Sequence, residues 1–150
     1  MPGSACRLVI AALAVVVSCA SPAYALTPLP RPQASPDIAP GEAAPFVGAW
    51  SVTLPTMEVG TPDTALATCA LPVRIHEAAP NHIFYLGPRE TEADAAIELI
   101  AAGDGTDWNP IAGGPRFFAL WVDADRFYLY DAMVEGEPDG GMPYVYIRCP

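Results

Sequence analysis

The sequence predicts an all-β fold, a small up-and-down β-barrel or sandwich of about seven to eight short strands. Three observations carry that reading. From residue 46 onward the apolar runs are short and rich in β-branched and aromatic residues. Gly, Pro, Asp and Asn break them up at roughly 8–12-residue intervals, the spacing of strands in small β domains. Within several runs apolar and polar residues alternate, the period of a strand with one buried face. Closure into a barrel also removes the unpaired edges that an open meander leaves.

The elements follow in order. Residues 46–54 make the first strand, with Gly48 and Trp50 inside it. In 68–76, Cys69, Leu71, Val73 and Ile75 alternate with Ala70, Pro72, Arg74 and His76. Pro72 cannot donate to a ladder, which places this strand at an edge or at a bulge. Residues 82–86 are a third strand, stopped by Gly87-Pro88. The stretch 90–102 has the composition of a helix. Its flanking strands favour a strand over 95–101 instead, with Ile97 and Leu99 inward. Residues 107–111 read as an irregular piece around Trp108. Residues 116–123 and 126–131 form a hairpin about Asp123-Ala124-Asp125. A Gly/Pro/acid loop over 135–141 leads to a last strand, 143–150. There Val145, Ile147 and Cys149 occupy the apolar face, and Tyr144, Tyr146 and Arg148 the outer one.

Three regions are expected. Residues 1–25 read as a secretory signal peptide: Arg7, an apolar run over 8–17, and a small-x-small ending at Ala23-Tyr24-Ala25. The run is too short to span a bilayer, which takes about 20 apolar residues. A second processing site competes, because Val16-Val17-Ser18-Cys19 resembles the lipidation signal of bacterial lipoproteins. Residues 26–45 hold six prolines in 20 positions and are expected to be a flexible arm or linker. Residues 46–150 are the β domain. The destination is periplasmic or secreted, with lipid anchoring to the outer membrane through Cys19 as the alternative.

Arg7 is the only charged residue of the leader, so the rest of the chain sets six Arg and no Lys against 17 acids, a formal charge of −11. Such a field repels phosphate backbones and anionic membranes, which excludes nucleic acid as a partner. Beyond the leader only Cys69 and Cys149 remain. In an exported chain they pair as one disulfide, or else stay as two buried thiols. The bridge closes a loop of about 80 residues, for which chain entropy gives roughly 4 kcal/mol.

Catalytic and metal chemistry find little purchase. His76 and His82 flank a turn, yet no third ligand stands at a convincing spacing and neither HExxH nor CxxC occurs. Ser51 is the only serine after residue 35, and there is no GxSxG. Asp104, Asp107 and Asn109, and again Asp123, Asp125 and Asp131, cluster in loops that match no calcium-loop spacing. No catalytic residue, metal or cofactor is expected. The aromatics Trp50, Trp108, Trp121, Phe117, Phe118, Phe127 and Tyr128 either fill the interior or line a pocket. Tyr128, Tyr130, Tyr144 and Tyr146 are expected to face outward as a partner-binding stripe or a cross-strand ladder.

Gly48-Ala49-Trp50-Ser51-Val52 after a proline-rich arm, the Cys-led 69–73 segment, and Phe118-Ala119-Leu120-Trp121-Val122 leading into Phe127-Tyr128-Leu129-Tyr130-Asp131 together resemble a known pattern. It is that of the small calycin-like periplasmic metalloprotease inhibitors and related bacterial outer-membrane lipoproteins. The resemblance spans residues 46–131 in pattern. It implies an inhibitory role for the arm from Leu26, Thr27 and Pro28 onward. The chain departs from that family in having Cys149 rather than a nearby cysteine to partner Cys69. The expected function is therefore non-enzymatic binding in the bacterial envelope, most concretely of a protease or another envelope protein. The alternatives are a lipocalin-like binder of a small apolar ligand and a structural envelope lipoprotein.

Overall fold

A computed structural model describes residues 31–56, 60–132 and 141–150. Among them, nine strands form one antiparallel sheet: β1 (Gly48–Leu54), β2 (Thr64–Ala67), β3 (Val73–Ala79), β4 (His82–Leu86), β5 (Ala96–Ala102), β6 (Gly105–Pro110), β7 (Arg116–Asp123), β8 (Arg126–Ala132) and β9 (Tyr144–Arg148). Eight of them close a barrel. Neighbours pair in sequence from β3 to β9, and β1 joins β3 on one edge and β9 on the other. The extra strand, β2, continues the edge that β3 begins. Gly48, Ala49 and Trp50 pair with β3, whereas Val52, Thr53 and Leu54 pair with β2.

The break between β2 and β3 departs from the alternation in the sequence. Thr68 and Leu71 exchange backbone hydrogen bonds of 3.3 and 2.9 Å across a tight turn, and the strand starts only at Val73. Pro72, with no N–H, cannot carry the ladder through. Cys69 and Leu71 are consequently exposed rather than inward. The Cys69–Cys149 disulfide forms, but outside the barrel. It ties the turn to the residue after β9, whose N–H donates to Ala49 O at 2.8 Å.

Other elements match more closely. Residues 96–102 are a strand, held by a six-position ladder to β6 that overrides their helical composition. The piece around Trp108, expected to be irregular, is β6. Its first residue must be glycine: a Cβ on Gly105 would meet the Phe118 ring and lie 2.6 Å from Ala119 O. Phe46, expected in the first strand, instead ends a 3-10 helix (Ala44–Phe46) that plugs one end of the barrel.

That end is packed with rings. Phe127 lies 5.2 Å from Phe46, 4.9 Å from Trp50 and 5.0 Å from Trp121, and stacks on Tyr146 at 4.4 Å. Edge-to-face and stacked aromatic pairs add about 0.5–1.5 kcal/mol each to the burial of their surface.

β7 is buried on both faces. Ala119 and Trp121 belong to the interior, while Phe118 and Leu120 join Tyr130 in a second cluster outside it. Residues 31–45 cover that second cluster and the closed end. Ala34 packs on the cluster, and the Arg31 guanidinium lies 4.8 Å over the Phe118 ring. Ser35 N–H donates to Trp121 O at 2.8 Å, a carbonyl placed beyond the start of β6 by the Thr106–Ala119 register. Ile38 and Ala43 pack on the main core, Gly41 N–H donates to Thr106 Oγ1 at 2.9 Å, and Ala43 N–H to Pro80 O at 2.8 Å. Over residues 31–45 the expected arm packs on the domain. Proline prevents a regular ladder there, but it does not prevent an irregular chain from lying on an apolar face. Cys19, Leu26, Thr27 and Pro28 lie outside the described residues.

Candidate functional site

The strand directions put the C-terminal end of β1 and the N-terminal ends of β3, β5, β7 and β9 at the end of the barrel opposite Phe46. Small and medium side chains point inward there: Val52 from β1, Ala67 from β2, Val73 from β3, Ile97 from β5 and Leu129 from β8. Where the closed end has Trp50, Trp121 and Phe127, this end has Val and Ala. The volume they leave is an open cavity of about 260 Å³. Trp108 and Phe117 form one wall, Tyr85, Tyr144 and Tyr146 another, and Leu66 and Pro88 the rim.

Two polar features interrupt the apolar walls. The hydroxyls of Tyr85 and Tyr146 lie 3.2 Å apart, from β4 and β9 on opposite sides of the closure strands. Burial pushes the Tyr146 phenol well above its ordinary value, with the neighbouring Tyr85 adding to the effect. Burial raises Tyr85 too, opposed by its bond to Tyr146 and assisted by the Glu90 carboxylate. Both phenols are therefore neutral across the physiological range. The second feature lies behind the wall: Trp108 is 1% exposed, and its buried indole N–H has no acceptor among the described residues. A buried donor left unpaired costs about 1–3 kcal/mol. Among the described residues no charged side chain lines the cavity.

The expected outward stripe of tyrosines does not exist as such. Tyr144 and Tyr146 face the cavity, and Tyr146 is 3% exposed. Val145 and Ile147 take the outer face instead, Ile147 at 44% exposure. The ring of Tyr146 has more apolar surface than either aliphatic neighbour and finds Phe127 to stack on, which decides the facing. Tyr128 and Tyr130 do face outward, but they pack into the second cluster, where Tyr130 is buried.

The acidic loops are occupied by arginine. Asp104 pairs with Arg31 at 2.6 Å, Asp107 with Arg116 at 3.1 Å, Asp123 with Arg126 at 3.6 Å and Asp125 with Arg148 at 3.2 Å. Among the described residues no group of three metal-ligating side chains assembles, and His82 Nδ1 lies 2.9 Å from Asn81 Oδ1. Ser51 Oγ donates to Ile147 O at 3.2 Å.

No family model, curated protein or solved structure matches this chain.

Of the aromatics picked out in the sequence, Trp108 and Phe117 line the cavity. Trp50, Trp121 and Phe127 fill the closed end, and Phe118 and Tyr128 lie outside. Sequence reasoning missed Val52, Val73, Tyr85, Ile97 and Leu129 as lining residues. Inward alternation marked most of them as core, and nothing local separates a core position from a cavity wall.

Proposed function

We propose that this chain is an exported binding protein that holds a small apolar ligand in the open end of its barrel. The observation that carries the proposal is the cavity of about 260 Å³ in a barrel whose other end is filled with rings. Protein interiors are close-packed, so an apolar volume of this size opening to solvent is a site rather than a packing defect. Export is supported by the leader-like residues 1–25 and by the Cys69–Cys149 disulfide, a bond suited to an oxidising compartment. The protease-inhibitor reading needs an arm free to enter a cleft. Residues 31–45 are engaged with the barrel, while Leu26, Thr27 and Pro28 lie outside the described residues; the cavity is the feature that favours the ligand reading.

Titration with the fluorescent probe N-phenylnaphthylamine tests this. Wild-type protein should bind it, with quenching of Trp108. Ile97→Trp, which fills the cavity from β5, should weaken binding by at least about tenfold while preserving cooperative melting. Absence of saturable binding, or equal binding by Ile97→Trp, would remove the proposal.

A further inference from the structure

We infer that the ligand is a neutral, largely apolar molecule carrying one hydrogen-bond-accepting oxygen, such as an aromatic ketone, aldehyde or ether, anchored by the Tyr85–Tyr146 hydroxyl pair. This rests on the cavity being a ligand site. The argument starts from hydrogen-bonding capacity. Each phenol has one proton and lone pairs to accept another. The 3.2 Å contact between Tyr85 and Tyr146 uses one proton of the two. The other proton remains for a third partner. An unused donor calls for an acceptor on the ligand, and leaving it unpaired in an apolar wall is unfavourable.

Charge sets the rest. A carboxylate at the tyrosine pair would be buried with no cation to meet it, because no Arg or His among the described residues lines the cavity. The arginines near this end are engaged or outside: Arg116 pairs with Asp107, Arg74 donates to Glu90 O, and Arg89 lies in an outer groove with Glu90. The connections over 57–59 and 133–140 contain no basic residue in their sequence. Among the described lining residues an ammonium group finds no carboxylate either. Burying either ion unpaired is far more costly than burying a hydrogen-bonded carbonyl. The raised pKa values of both phenols point the same way, since burial and the Glu90 charge disfavour negative charge at that spot.

A series of naphthalene derivatives, competed against N-phenylnaphthylamine on the intact disulfide-bonded protein, tests the inference. The members are naphthalene, acetylnaphthalene, naphthoate and naphthylmethylammonium. Acetylnaphthalene should lose about fivefold in affinity in Tyr85→Phe or Tyr146→Phe, the worth of one hydrogen bond, while naphthalene is unchanged. Naphthoate and naphthylmethylammonium should bind at least about tenfold more weakly than acetylnaphthalene, as unpaired buried ions do. Using both phenylalanine variants guards against one of them disturbing the fold. Equal responses of naphthalene and acetylnaphthalene would overturn the inference and leave the cavity reading standing. So would naphthoate binding as tightly as the ketone, with its affinity lost in Arg89→Ala: that result would mark an anionic head held at the rim. Failure of every member, N-phenylnaphthylamine included, would overturn the cavity reading and the inference with it.

Discussion

The Arg148 guanidinium lies 4.3 Å over the ring of Trp50 and clamps the closed end of the barrel. Its two terminal nitrogens donate to Val47 O and Pro45 O, both at 2.8 Å, and Nε faces Asp125 at 3.2 Å. One side chain from the last strand therefore satisfies a carbonyl of the 3-10 helix and that of the residue after it, and stacks on the first strand. Trp50 completes the arrangement by donating Nε1–H to Phe46 O at 2.8 Å. Gly48 is part of it as well. Its φ is +145°, and a Cβ there would come 2.8 Å from an Arg148 nitrogen. The Gly-x-Trp spacing thus has a local physical cause.

Arg148→Ala should cost about 2–4 kcal/mol, the sum of two charge-assisted hydrogen bonds and a partly buried cation–π contact, less what water restores. Arg148→Lys should recover under half of that, because an ammonium cannot fork to two carbonyls while stacking. Gly48→Ala should be destabilising by a comparable amount through strain and the clash. Urea melts of the three variants check this. A lysine variant as stable as wild type would show that charge alone, not the fork, matters.

Residues 31–43 are predicted to be needed for full stability. A chain beginning at Ala44 uncovers Phe118, Leu120 and Tyr130 and removes Ile38 and Ala43 from the core. At about 25 cal/mol per Å² of apolar surface, loss of these small contacts should cost roughly 2–4 kcal/mol. Arg31→Ala alone should cost under about 1 kcal/mol, as its ion pair and ring contact are exposed. Thermal melts of both proteins, with dye binding to detect the uncovered patch, distinguish a fixed strap from a dispensable tail.

The sequence made the strands legible wherever one face meets water. Period two located β8 and β9 within a residue or two, the Gly87-Pro88 stop fixed the end of β4, and the continuous apolar run over 117–122 fits β7, a strand covered on both faces. It failed where two faces were both apolar enough to be buried. On β9 the aliphatic face looked inward, yet Tyr146 won by stacking on Phe127. It failed again at 68–76, where good alternation runs through a proline and into a disulfide-tied turn. The cavity was hidden for a different reason. It arises from the sizes of Val52, Ala67 and Val73 against the rings at the other end, and volume is a property of eight strands together.

Removing the disulfide should loosen the cavity rim before it loosens the barrel. The bond fixes the turn over 68–71, which is the only link between β2 and β3, and β2 supplies Leu66 and Ala67 to the cavity. A Cys69→Ser, Cys149→Ser double variant should lose about 2–4 kcal/mol of global stability. Its amides over 64–67 should exchange nearly as fast as those of an unfolded chain, because among the described strands β2 pairs with β1 alone. Amides of β7 and β8 should still report the global value. Uniform loss of protection across all strands would show that β2 is not a separate low-stability unit.

Stability should fall on the alkaline side, and the buried phenols set where. Tyr146 titrates well above its ordinary value, and Tyr85 and Tyr130 are also raised, burial being the largest cause in each. The folded state thus holds these protons more tightly than the unfolded chain does. Their contribution is complete below the unfolded value of about 10 and is lost as pH climbs from there toward the folded values. While the unfolded phenol is ionised and the folded one is not, each such group removes at most about 1.4 kcal/mol per pH unit. Urea midpoints should be flat from about pH 7 to 9 and drop beyond 10, where tyrosine ionisation begins in the unfolded state. Tyr146→Phe should flatten that drop. Absorbance of tyrosinate should show the buried phenols ionising only together with loss of the near-ultraviolet dichroism of the packed rings. Smooth ionisation of every tyrosine near pH 10, with the fold intact, would mean that the Tyr85–Tyr146 pair is open to solvent and that the cavity is wetter than its walls require.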